Sequence, residues 1–129
     1  MASLLVAVVD DEEPVRKALG RLLRASGLNV HAFPSGQAFI DSIASARPDC
    51  LILDLHMPGL NGLQVLEHLK ACRTLFPTIV ITGHDEPENQ TRCLSGGAMA
   101  YMRKPLDDRL LLHAIDEAVK NSGSGHPPA

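Results

Sequence analysis

Short apolar runs alternate along the chain with stretches whose apolar residues recur at helical spacing. Leu4 to Val9 reads as a strand. Pro14 then suits the first turn of a helix, where its missing N–H leaves no bond unmade. Val15, Ala18, Leu19, Leu22 and Leu23 fall on one face of that helix, and Gly27 ends it. Val30 to Phe33 is a second, shorter strand, and Ser35 caps a helix carrying Phe39, Ile40 and Ile43. Leu51 to Asp54 is a third strand, followed by a helix with Leu63, Leu66 and Leu69. Thr78 to Thr82 is strongly β-branched and reads as the fourth strand. A helix of weak periodicity follows over Pro87 to Leu94, capped by Asp85 or Glu86 and ended by Gly96 and Gly97. Ala100 to Arg103 is a fifth strand, and Leu111, Ile115, Ala118 and Val119 mark a last helix.

Strands that alternate with helices predict an α/β fold, a parallel sheet covered on both faces. Its crossovers are expected to be right-handed. The chain has 129 residues, enough for one domain. The reading is one domain over residues 1–121, followed by a Gly/Ser/Pro-rich tail or truncated linker over 122–129. A formal charge of −3 with scattered Lys and Arg argues against a nucleic-acid surface. The N-terminal apolar run is too short for a membrane span or a secretory signal, so a cytoplasmic protein with no membrane contact is expected. Cys50, Cys72 and Cys93 are widely spaced and form no zinc pattern; each reads as a small buried hydrophobe or a free thiol.

In parallel sheets functional groups gather beyond the carboxyl ends of the strands. Asp10 and Asp11 end the first strand here, Asp54 the third, Thr82 the fourth and Lys104 the fifth. Three carboxylates in one pocket repel, and at least one should have a raised pKa unless something compensates. A hard divalent cation such as magnesium would resolve the conflict. With Lys104 as a fixed cation and Thr82 as a hydroxyl donor, the set has the parts phosphoryl transfer needs. Asp54, alone at its strand end, is the candidate nucleophile; Asp10 and Asp11 suit a paired metal anchor. Singly, each residue has a plainer reading. Asp54 would be a turn residue, the run Asp10-Asp11-Glu12-Glu13 a solvated helix start, Thr82 a strand residue and Lys104 a surface lysine. The joint pattern at four strand ends is what favours chemistry.

The segments "VVDDEEPVRKAL", "LILDLHMPGLNG", "IVITGHD" and "GAMAYMRKP" resemble, in order and spacing, those of response-regulator receiver domains of two-component signalling. The first and third look most like FixJ-type regulators, whose receivers usually precede a DNA-binding domain. The likeness spans roughly residues 4 to 120. It implies a doubly wound five-stranded sheet of order 2-1-3-4-5 with five helices, the flavodoxin-like, CheY-like architecture. It also implies that Asp54 accepts a phosphoryl group from a histidine kinase. Mg2+ (or Mn2+) would be held by Asp11, Asp54 and the backbone carbonyl of His56, with Asp10 acting mostly through water. Lys104 would contact the acyl phosphate, Thr82 would swing toward it, and Tyr101 would turn inward behind Thr82. The Lys104–Pro105 bond is expected to be cis. The face of the fourth helix, fifth strand and fifth helix would then serve a homodimer, an output domain or a partner protein, with transcription regulation as the expected output and no nucleic-acid contact by this domain.

His56 lies two residues past Asp54 and His84 two past Thr82. In the family these positions flank the path of the hydrolytic water, so the two histidines would tune the phosphorylated lifetime; the plain alternative is two solvent-facing loop residues. Three rival functions are weaker. A haloacid-dehalogenase-type phosphohydrolase needs Asp-x-Asp after the first strand, where this chain has Asp10-Asp11-Glu12. A flavodoxin-like flavin binder would meet repulsion from the same acids. A degenerate receiver used only for binding is a third alternative, and the presence of all the key pocket residues counts against it.

Overall fold

A computed structural model of the chain describes residues 4–84 and 86–123. In chain order the elements are β1 (Leu5–Val9), α1 (Glu13–Ala25), β2 (Asn29–Phe33), α2 (Gly36–Ser42), β3 (Cys50–Asp54), α3 (Gly62–Ala71), β4 (Thr78–Thr82), α4 (Pro87–Ser95), β5 (Ala100–Arg103) and α5 (Asp108–Gly123). All pairings are parallel, and the strand order is β2-β1-β3-β4-β5. This is the doubly wound sheet the sequence predicts. The expected tail lies for the most part, at 124–129, outside the described residues, while positions 122 and 123 continue α5.

Side-chain alternation builds a core on each face of the sheet. Val6, Val8, Cys50, Ile52, Ile79 and Ile81 point to one side, where Leu19 and Leu23 of α1 and Leu111, Ile115 and Ala118 of α5 cover them. Ala7, Val9, Leu51, Leu53 and Val80 point to the other, covered by Phe39 of α2, Val65, Leu66 and Leu69 of α3 and Cys93 of α4. The continuous apolar runs of β1, β3 and β4 thus reflect burial on both faces. Ala18 departs from expectation. It sits at the margin of the α1 stripe and is exposed, lining a groove with Pro105 and Leu106.

Helix starts follow local chemistry. Ser35 accepts a bond from Ala38 N, 3.1 Å, at the start of α2. Asn61 and Gln64 form a reciprocal capping box at the start of α3, each side chain accepting from the other's backbone N–H at 2.9 Å. Pro87 opens α4 behind Glu86, whose side chain makes no capping bond; Asp85, the other cap candidate, lies outside the described residues. Gly27 and Gly97 take positive φ (89° and 114°) where α1 and α4 end.

Gly62 fixes where α3 leaves the sheet. Its N–H donates to Leu55 O, 2.8 Å, and a Cβ at this position would stand 2.8 Å from Asp54 O and 2.9 Å from Leu55 Cα. Both neighbours are backbone and cannot swing aside. Gly62→Ala is therefore expected to destabilise the domain by about 1–3 kcal/mol, read as a lower urea midpoint. Gly59→Ala probes a position with open space but a φ of 75°; its cost would come from backbone strain alone.

Candidate functional site

The parallel register brings the strand ends level. Val9 pairs with Leu53, Asp54 with Ile81 and Thr82 with Arg103. Asp10, Asp54, Thr82 and Lys104 therefore emerge at one edge of the sheet, with Asp11 beside them. Asp10, Asp54 and Thr82 are buried there, at 0%, 3% and 0% exposure, and Asp11 is exposed.

One carboxylate oxygen each from Asp10, Asp11 and Asp54 lie within 4.8 Å of one another. Asp10 is fixed from several sides. Its Oδ1 accepts from the backbone N–H of Glu12, 2.8 Å, and its carbonyl accepts from Arg16 Nη1, 2.8 Å. Its Oδ2 accepts no well-directed hydrogen bond among the described residues; the Lys104 ammonium 2.9 Å away answers it by charge. The same ammonium lies 3.0 Å from Glu12 Oε1 and 3.6 Å from Asp54 Oδ1.

The electrostatics follow from burial and crowding. Burial pushes the Asp54 carboxyl up from 3.8 to about 7, and the charge of Asp10 pushes the same way; Lys104 opposes them and Asp11 adds to the rise. For Lys104, burial alone would lower the pKa, but its close approach to Asp10 and Glu12 and the charges of Asp10 and Asp54 outweigh that and raise it. The carboxylate set, with one buried oxygen lacking a directed donor and one carboxyl reluctant to ionise, fits a hard divalent cation, which takes oxygen ligands and relieves their repulsion.

Thr82 is engaged locally. Its hydroxyl donates to His84 O, 2.9 Å, and accepts from His84 N, 3.1 Å. His56 Nε2 donates to the same His84 O at 3.1 Å, and the two imidazoles meet edge to face with centroids 5.8 Å apart. Both rings are exposed. Tyr101, in β5, is half-buried and packs against the core that holds Val80. The Lys104–Pro105 bond is cis. Cys50 and Cys93 are buried and Cys72 exposed; burial pushes the Cys50 thiol up to about 12, consistent with a packing role. Two site residues escaped the sequence reading, Glu12 and Arg16. Glu12 lies within the acidic run, but nothing local points it at a lysine 92 positions away.

The raised Asp54 pKa has a consequence for stability. Folded, metal-free protein holds the Asp54 proton up to about pH 7, whereas the unfolded chain releases it near 3.8. The stabilisation is complete below the unfolded value and is lost as pH rises through the folded one. Urea titrations in chelator are expected to show wild-type stability falling from about pH 4 to above 7, by on the order of a few kcal/mol from this group. Asp54→Asn should remove that part of the slope and be the more stable protein at pH 8.

The chain has known relatives in both sequence and fold. The profile of the response regulator receiver domain matches residues 6–116. The transcriptional regulatory protein FixJ of Rhizobium meliloti is 36% identical over 121 residues, covering 94% of this chain and 59% of FixJ. The DNA-binding transcriptional regulator NtrC of Escherichia coli is 36% identical over 115 residues, covering 89% of this chain and 23% of NtrC. The chain thus spans less than two-thirds of the length of these relatives. The crystal structure of FixJ-N superposes with a TM-score of 0.85 at 35% identity, covering 93% of this chain and 96% of that one. Sequence, fold and relatives converge, and the chain belongs to the response regulator receiver domain family, the signalling receivers of two-component systems.

Proposed function

We propose that this domain accepts a phosphoryl group on Asp54 from the phosphohistidine of a partner kinase and uses it to switch an output. The observation that carries the reading is the meeting of buried Asp54 with Asp10, Asp11 and Lys104 at one sheet edge. An Asp54 oxygen would form the new bond to phosphorus as the bond to the kinase imidazole nitrogen breaks. Asp11, Asp54 and the His56 carbonyl would hold Mg2+ or Mn2+ directly, with Asp10 acting through water. When bound, the cation supplies positive charge that offsets the carboxylates and the incoming phosphoryl oxygens. Lys104, already 3.6 Å from Asp54 Oδ1, would contact a phosphoryl oxygen.

The switch would work by population shift. Phosphorylation adds about −1.5 to −2 charges and three strong acceptors. Thr82 would exchange its bond to His84 O for one of them, and Tyr101 would repack behind it. The α4–β5–α5 side would then change. It is suited to contact, because Leu94, Met99 and Leu110 expose 43%, 42% and 61% of their surface on or beside these elements. A homodimer, an output domain or a partner protein would bind there, with transcription regulation as the output by analogy to FixJ and NtrC. No helix among the described residues is long and apolar enough to cross a membrane.

The test is intact mass after incubation with a small acyl-phosphate donor. Wild type should gain a single phosphoryl group only when magnesium is present, and Asp54→Asn should gain none. No adduct on wild type, under conditions that label another receiver, would favour a binding module that no longer uses its pocket. His56 and His84 would set the lifetime of the adduct by shielding or orienting the hydrolytic water. His56→Ala and His84→Ala should each change the decay rate several-fold; unchanged decay would reduce them to loop residues.

A further inference from the structure

Glu12 stands at the N-cap of α1 but makes no capping bond; its side chain is longer than those of Ser, Thr, Asp and Asn, which cap well. Its carboxylate turns instead to Lys104, with Oε1 3.0 Å from Nζ. It lies outside the group formed by Asp10, Asp11 and Asp54.

The Lys104 ammonium has three N–H donors. Its nearest oxygens are Asp10 Oδ2 at 2.9 Å and Glu12 Oε1 at 3.0 Å, while Asp54 Oδ1 at 3.6 Å is beyond hydrogen-bond reach. In the resting protein the lysine is therefore drawn toward the β1–α1 side and away from Asp54. The two acids that hold it differ in kind. Asp10 is buried and fixed by the Glu12 N–H and, through its carbonyl, by Arg16. Glu12 is 60% exposed on its side chain, so its hold is adjustable.

We propose that Glu12 is a positioning residue that tethers Lys104 at the rim and limits how readily the lysine reaches an oxygen on Asp54. This rests on the phosphoacceptor reading above. A partly exposed ion pair is weak, so the scale is a few-fold rather than orders of magnitude. Glu13 supplies the control. It carries the same charge on the same turn but pairs with Lys17, 3.4 Å away, and not with Lys104.

Two readouts test the idea on Glu12→Gln and Glu13→Gln. In metal-free protein, the Lys104 Cε–Hε NMR signals should shift in Glu12→Gln and stay in place in Glu13→Gln. With magnesium and a small acyl-phosphate donor, Glu12→Gln should label roughly two- to five-fold faster than wild type, and Glu13→Gln within the general effect of losing one charge. Equal labelling of the two variants, or no NMR shift in Glu12→Gln, overturns the tether while leaving the phosphoacceptor reading intact. Absence of label on wild type overturns both.

Discussion

The ammonium of Lys104 is the contact on which this site turns. It lies 2.9 Å from Asp10, 3.0 Å from Glu12 and 3.6 Å from Asp54. Two of those acids are buried, and a buried carboxylate costs several kcal/mol unless a partner offsets it. The lysine meets that need incompletely. Asp10 Oδ2 is left without a directed donor, and Asp54 stays reluctant to ionise. The resting pocket is thus built with a standing excess of negative charge, which gives it an appetite for cations.

The fold supplies what such a pocket requires. Placing β1 between β2 and β3 puts the reversal of strand order between β1 and β3, the point at which doubly wound sheets open a crevice. Asp10 and Asp54 stand on its two sides. Gly62 lets α3 start against the backbone that follows Asp54, and the capping box of Asn61 and Gln64 fixes that start. The rigid half of the site therefore rests on β1, β3 and α3, deep in the packed core.

The other half is looser. Thr82 is held by two bonds to a single loop residue, His84. The helix that follows, α4, buries Cys93 and presents mostly polar residues elsewhere. Few buried contacts mean a low cost of local rearrangement. A firmly packed carboxylate beside a weakly packed element is the arrangement the proposed switch would use, with a change in bonding at Asp54 passed to α4 while the sheet stays as it is.

The elements were legible in the sequence because their causes are local. Thr78 to Thr82 matches β4 residue for residue because a β-branched run states its preference locally, and Ala100 to Arg103 matches β5 because Gly97 and Pro105 bound it within a few positions. The acids, Thr82 and Lys104 were legible as a set because parallel strands place every carboxyl end on one edge. The capping box at Asn61 was also there to be read in the Asn-x-x-Gln spacing. What the chain alone left open was which group answers which. Whether Lys104 leans toward Asp54 or toward Glu12, how far Asp54 is desolvated, and whether Ala18 is covered all depend on residues brought together from distant parts of the chain. Helical and strand periodicity are set by the backbone's own repeat, whereas charge balance and burial are sums over neighbours that exist only once the sheet has assembled.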